Sequence, residues 1–197
     1  MKIKKLGLWG VAVLALVAVL PLSAAAGGAQ QVRWDIISLV GGGAPGPINP
    51  GGVSSATAAN GGDTITLTGS GTFVAPAGNN GGSGAVTGGG TWQTSTGGSG
   101  TYEVKELVSW VFANANSQTP TFVDNIGPLS ARANGTAVLR IEFSDGQPGV
   151  LTVGCHGPGA PAGIFEGITV TKGYLTYYDP APTLPGVDAN RTLFHIQ

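Results

Sequence analysis

The chain has 197 residues, of which 35 are glycine, 13 are proline and only 10% are charged, and its formal net charge is −1 at neutral pH. With no basic stripe and no positive excess to displace counterions, composition excludes nucleic acid as a partner. Scarce Lys and Glu beside abundant Gly, Thr, Ser and Val exclude a helical protein and point to strands and tight turns.

The first segment reads as an export signal. Lys2, Lys4 and Lys5 precede an apolar run from Leu6 to Leu20, and Pro21 and the small residues LSAAAGGA follow. This is the pattern of a cleaved signal peptide over 1–26, with cleavage after Ala26 and Ala29 as second choice. The run is short for a bilayer span of ~20 residues, which argues against an uncleaved anchor. No cysteine lies just past it, which argues against lipid attachment. The protein is therefore expected to be secreted and to meet a membrane only transiently, during export. Loss of the leader leaves Arg33, Lys105, Arg132, Arg140, Lys172 and Arg191 against ten acidic residues. The remaining length suits one domain. Its single cysteine, Cys155, forms no internal disulfide, so it is either buried and inert or an exposed thiol able to link two chains.

VRWDIISLV, residues 32–40, is a candidate strand. Residues 41–63 are rich in Gly and Pro and show no periodicity, which reads as a tether or a long surface loop. Residues 27–63 are thus expected to be a loosely attached strand and its tether, and 64–197 a β domain. From Thr64 a unit repeats: GSGTF at 69–73, GGGTW at 88–92 and GSGTY at 98–102. In a strand the two glycines and the aromatic of each unit share one face. Glycine there lets a strand coil sharply or lets a neighbouring aromatic cover the gap. Three units close together predict adjacent strands of a curved antiparallel sheet, with Phe73, Trp92 and Tyr102 near one another. A phosphate-binding loop would need a strand-to-helix turn and usually a Lys, and neither is present, so no cofactor is expected.

YEVKELVSWVF, residues 102–112, fits both a helical stripe and a strand face; its β-branched and aromatic residues favour a strand. Residues 113–135 read as loop. TAVLRIEF, 136–143, alternates cleanly, and the Asp145-Gly146 turn joins it in a hairpin to 149–155. GITVTKGYLTYY, 167–178, reads as one strand kinked at Lys172-Gly173, and RTLFHI, 191–196, as the last. About eight strands with short connections predict an all-β chain, a single small antiparallel β-barrel with a β-sandwich as the alternative.

Candidate site residues follow from residue chemistry. Cys155 and His156 are adjacent, so in an extended strand they face opposite sides and cannot act as nucleophile and base. A turn at 154–158 could bring both to one rim. No zinc spacing is present, and a Cys155–His156–His195–Glu166 cluster rests on composition alone, so no metal site is expected. Glu106 and Glu166 interrupt apolar surroundings and are the better carboxylate candidates for a perturbed group; Glu142 reads as solvated beside Arg140. Trp92, Trp110 and Tyr174, with Tyr177 and Tyr178, could line a ligand face or serve only as core.

The stretch LTVGCHGPGAPAGIFEGITVTKGYLTYYD with the following GVDANRTLFH resembles a group of small secreted microbial proteins of unknown function. Cys155-His156, Pro158-Gly159, FEGITVTKG and the terminal RTLFH carry the likeness, which covers about residues 149–197, the last third of the chain. The resemblance implies secretion and a shared fold and carries no activity.

The expected function is a secreted, non-enzymatic β module that binds a small apolar or carbohydrate ligand. One alternative is a small barrel enzyme of the cyclase or isomerase type, using Glu106, Glu166 or His156. The other is an assembly protein that lends strand 32–40 to a neighbour. An interior polar cluster favours the enzyme, an exposed row of aromatics favours sugar binding, and a detached first strand favours assembly.

Overall fold

A computed structural model describes residues 28–39, 46–76, 83–116, 122–182 and 190–197; the expected signal peptide and residues 40–45 of the expected tether lie outside them. The described residues form twelve strands. They are β1 (Gln30–Leu39), β2 (Ile48–Pro50), β3 (Ser54–Ala58), β4 (Thr64–Leu67), β5 (Ser70–Ala75) and β6 (Val86–Thr94). Then follow β7 (Ser99–Ala115), β8 (Arg132–Phe143), β9 (Pro148–Cys155), β10 (Gly167–Lys172), β11 (Leu175–Pro180) and β12 (Arg191–Ile196). One 3-10 turn, Leu129–Ala131, precedes β8, and no α-helix occurs among the described residues.

The strands make one antiparallel sheet in the order β12-β1-β5-β6-β4-β3-β11-β10-β9-β8-β7, and further pairings of β12 with β8 and of β6 with β7 close it into a ring. Two long strands allow this by changing neighbours along their length. Val86–Gly89 of β6 pair with β5, whereas Trp92–Thr94 pair with β4. Arg132 and Ala133 of β8 pair with β12, whereas Gly135–Glu142 pair with β9. The ring therefore closes through two circuits that share β6, β7 and β8. Closure removes most of the open edges that would otherwise template aggregation.

The all-β expectation holds, and the strand count rises from about eight to twelve. Three local readings change. The Gly/Pro-rich segment 41–63 contains β2 and β3 rather than being only a tether. β1 is not loosely held: it bonds to β12, β5 and β2, and Val32, Trp34 and Ile36 are fully buried. The kinked strand 167–178 is a hairpin of β10 and β11 that turns at Gly173-Tyr174, where Gly173 takes a φ of +56°. That left-handed backbone suits glycine, which lacks the Cβ that would clash.

β7 explains its own ambiguous pattern. Its register against β8 shifts between Val104 and Glu106, between Leu107 and Ser109, and between Phe112 and Asn114. Each bulge inserts a residue and reverses the facing of those beyond it. Val104 and Leu107, three apart, are therefore both buried, which imitates a helical stripe.

The Gly-x-Gly-Thr-aromatic units lie on β5, β6 and β7 as adjacent strands, and Phe73, Trp92 and Tyr102 all point into the core. Trp92 and Tyr102 both pack on Phe143, whereas Phe73 packs on Trp110. Tryptophans fill the space that the missing side chains leave. Trp92 sits opposite Gly100 and Trp34 opposite Gly71. A Cβ on Gly100 would fall 2.9 Å from the Trp92 ring, one on Gly71 2.8 Å from Trp34, and one on Gly135 2.9 Å from Trp110. The tight coiling and the large aromatics are thus one device.

Candidate functional site

A cavity of about 320 Å³ opens where β9 ends and the 156–166 loop begins. Ile37 and Leu39 of β1, Ile48 of β2, Phe122 and Leu193 of β12 supply apolar wall; Arg132, Asn116, Cys155, His156, Glu166, Arg191 and Thr192 supply polar groups. These residues span the chain because β1, β8, β9 and β12 meet there through their pairings.

Glu166 pins the loop. One carboxyl oxygen accepts the Thr192 N–H at 2.7 Å, and the other accepts the N–H of His156. Burial pushes its pKa up to about 7, against the pull of those N–H groups and of Arg191. The Thr192 hydroxyl donates to the Gly154 carbonyl at 2.5 Å, which ties β12 to β9. His156 is exposed at the rim, with Nδ1 2.7 Å from the Ile164 carbonyl. The Gly157 N–H donates to Asn134 Oδ1 at 2.9 Å, and Asn134 Nδ2 donates to Asn114 Oδ1 at 2.9 Å. A compact loop between strands is thereby held by its own backbone groups.

Cys155 ends β9 and is 1% exposed. Burial pushes its thiol well above the usual range, and the nearby Glu166 charge adds to the shift. Burial of this kind disfavours the thiolate, the form that acts as a nucleophile. It packs as a small apolar group, its Sγ 3.9 Å from Asn134 Oδ1.

Behind the cavity lies a buried ionic cluster. Asp124 accepts from Arg132 Nε and, at 3.0 Å, from His195 Nε2, and all three side chains are at most 2% exposed. Burial would raise the Asp124 pKa, but the N–H groups of Ile126 and Gly127 with the Arg132 and His195 side chains outweigh it and hold it low. Removing one partner from such a cluster leaves a buried uncompensated charge. Among the described residues no three of His, Cys, Asp or Glu converge to hold a metal ion.

The seven expected site residues divide. Cys155, His156 and Glu166 come together at the cavity. Glu106 pairs with Arg140 at 3.0 Å on the outer face of the sheet. Trp110 is packed between Phe73 and Phe194, with ring centroids 5.5 Å and 4.6 Å away. Trp92 and Tyr174 line a second hollow of about 250 Å³ at the opposite end of β9 and β10. Trp92 is only 5% exposed, and Lys172 Nζ covers its ring at 4.3 Å, so it offers no stacking face. Lys172 is held by Asp145, and Tyr177 donates its hydroxyl to Asp63 at 2.8 Å. Tyr174 is 94% exposed at its hairpin tip, and Tyr178 is 58% exposed on β11.

Sequence reasoning passed over Arg132, Asp124 and Asn134, because SARANG read as loop while it starts β8. It also gave Arg191 no role. Two signals existed: Arg132 and Arg191 are two of only six Lys and Arg residues beyond residue 26, and Arg191 opens a largely apolar strand. No family model, no curated protein and no solved structure matches this chain.

Proposed function

We propose that this is a secreted, non-enzymatic binding module whose β1–β9–β12 cavity takes a small, largely apolar ligand. The observation that carries the reading is the cavity itself: its volume of about 320 Å³ is walled by Ile37, Leu39, Ile48, Phe122 and Leu193, with Asn116, Arg132, His156, Glu166, Arg191 and Thr192 among its other lining residues. Apolar walls with few polar groups are the usual form of a small-molecule site. At ~30 Å³ per water-sized group, such a volume takes roughly ten groups. A carbohydrate is the weaker choice, because Trp92 and Trp110 are packed away. The central position of β1 removes the feature that favoured strand exchange.

A neutral fluorescent probe such as N-phenyl-1-naphthylamine tests the reading. It should brighten on saturable binding to the protein without residues 1–26, and 1-decanol should displace it. Leu39→Trp, which fills the cavity, should abolish binding while the fold melts cooperatively. Saturable binding unchanged by Leu39→Trp, or no binding of any amphiphile, neutral or anionic, overturns it.

The cyclase or isomerase alternative keeps one specific support, the interior polar cluster. Glu166, at a pKa near neutrality beside an apolar cavity, suits general acid–base work. Against it, both Glu166 oxygens already hold backbone N–H groups, and burial disfavours the Cys155 thiolate.

A further inference from the structure

We propose that the cavity ligand carries a carboxylate, and that Arg191 is its anchor: the head group pairs with the guanidinium while the hydrocarbon lies along Ile37, Leu39, Ile48, Phe122 and Leu193. This rests on the cavity being a ligand site at all.

Three observations converge on Arg191. It lines the cavity, at the start of β12. Its Nε is shielded from solvent and has no hydrogen-bond partner. Buried donors are nearly always paired, and one left unpaired costs free energy, so an unpaired donor on a residue that lines the cavity leaves that end of the cavity short of an acceptor. The nearby charges are otherwise engaged. Arg132 is matched by Asp124, and Glu166 is saturated by His156, Thr192 and the turn they fix. Arg191 thus leaves one uncompensated cation over an apolar pocket whenever Glu166 is neutral.

A planar guanidinium binds a carboxylate through two parallel N–H bonds. One positive charge matches one monoanion, whereas a phosphate dianion would leave an excess charge in a poorly solvated site. The cavity volume and charge together select a small amphiphile with a single acidic end.

The pH response follows from the groups that face Glu166. These are Arg191 and Thr192 of β12, and Cys155 and His156 at the end of β9. An entering carboxylate is repelled by ionised Glu166 and is not repelled by its neutral form. Binding therefore strengthens as pH falls through about 7, with uptake of a proton.

Calorimetric titration of the protein lacking residues 1–26 with decanoate, 1-decanol and decyl phosphate tests the assignment. Decanoate is expected to bind at least ~10-fold tighter than 1-decanol, a difference of about 1.4 kcal/mol. In Arg191→Gln that preference should fall to within ~2-fold with 1-decanol affinity unchanged, and Arg191→Lys should restore part of it. Should the Arg191 variants fail to fold, the carboxyl of bound 1-¹³C-decanoate is followed by NMR in the wild-type protein. It should titrate below its free value. Equal affinity for decanoate and 1-decanol overturns the anchor but leaves the cavity reading standing. Tighter binding of decyl phosphate overturns the carboxylate. An unshifted or raised ligand pKa, or a decanoate preference that survives Arg191→Gln, overturns the anchor as well. Binding of neither compound sinks the cavity reading and the anchor with it.

Discussion

Glu166→Gln separates the carboxyl's charge from its shape. Burial lifts the folded pKa of Glu166 to about 7 from an ordinary 4.5. Between those values the native chain keeps a proton that the unfolded chain releases. The group's contribution is therefore fully present below about pH 4.5 and is lost as pH rises to about 7. The gap is worth about 3 kcal/mol at ~1.4 kcal/mol per pH unit. Glutamine has the same shape and does not titrate. Its carboxamide nitrogen cannot accept, so the N–H of either His156 or Thr192 loses its partner, at ~1–3 kcal/mol. At pH 5 the variant should be less stable than wild type by ~1–3 kcal/mol. By pH 8 the wild-type carboxylate bears the whole desolvation cost, and the difference should vanish or reverse. Urea unfolding of both proteins at pH 5, 6, 7 and 8 measures this. Subtracting the two curves removes His156 and every other shared group. A difference constant to within ~0.5 kcal/mol across that range would refute a perturbed Glu166.

A thiol reagent should label Cys155 slowly in the native protein and quickly in denaturant, and rapid native labelling would overturn its burial. Gly90→Val should cost ~3 kcal/mol or more, because a Cβ there would lie 2.0 Å from the Thr68 carbonyl oxygen, and a melt matching wild type would remove the argument for tight coiling. Arg132→Met should destabilise by ~3–5 kcal/mol at pH 7, since it strands the Asp124 charge; adding Asp124→Asn should recover part of that loss, and a double variant no better than the single one would refute the pairing. Tyr174→Ala, at an exposed tip, should leave both melting temperature and cavity binding unchanged; loss of ligand binding would move the site to the second hollow.

Alternation along a strand is a local property, so it was legible without a fold. TAVLRIEF has every second residue apolar and became β8; the Asp145-Gly146 turn and RTLFHI were read in the same way, and so was the class. The glycine–aromatic repeats also announced adjacent coiled strands, because a missing side chain and a large ring are complementary wherever strands pair. What interrupted alternation hid structure. Three bulges gave β7 a helical signature, two-residue turning at Gly173-Tyr174 looked like a kink, and β2 and β3 were too short to show a period. The site was half visible. Cys155, His156 and Glu166 could be marked by residue type, but what each does depends on distant partners. Thr192 lies at the other end of a hydrogen bond from Glu166, Asp124 neutralises Arg132, and Arg191 Nε finds no hydrogen-bond partner. Only ring closure brings β12 against β8 and β1, and so decides that one arginine is buried in an ion pair while another faces an apolar cavity unpaired. A pKa or a binding preference is set by the desolvation and charges around a group, and those come from segments far apart in the chain.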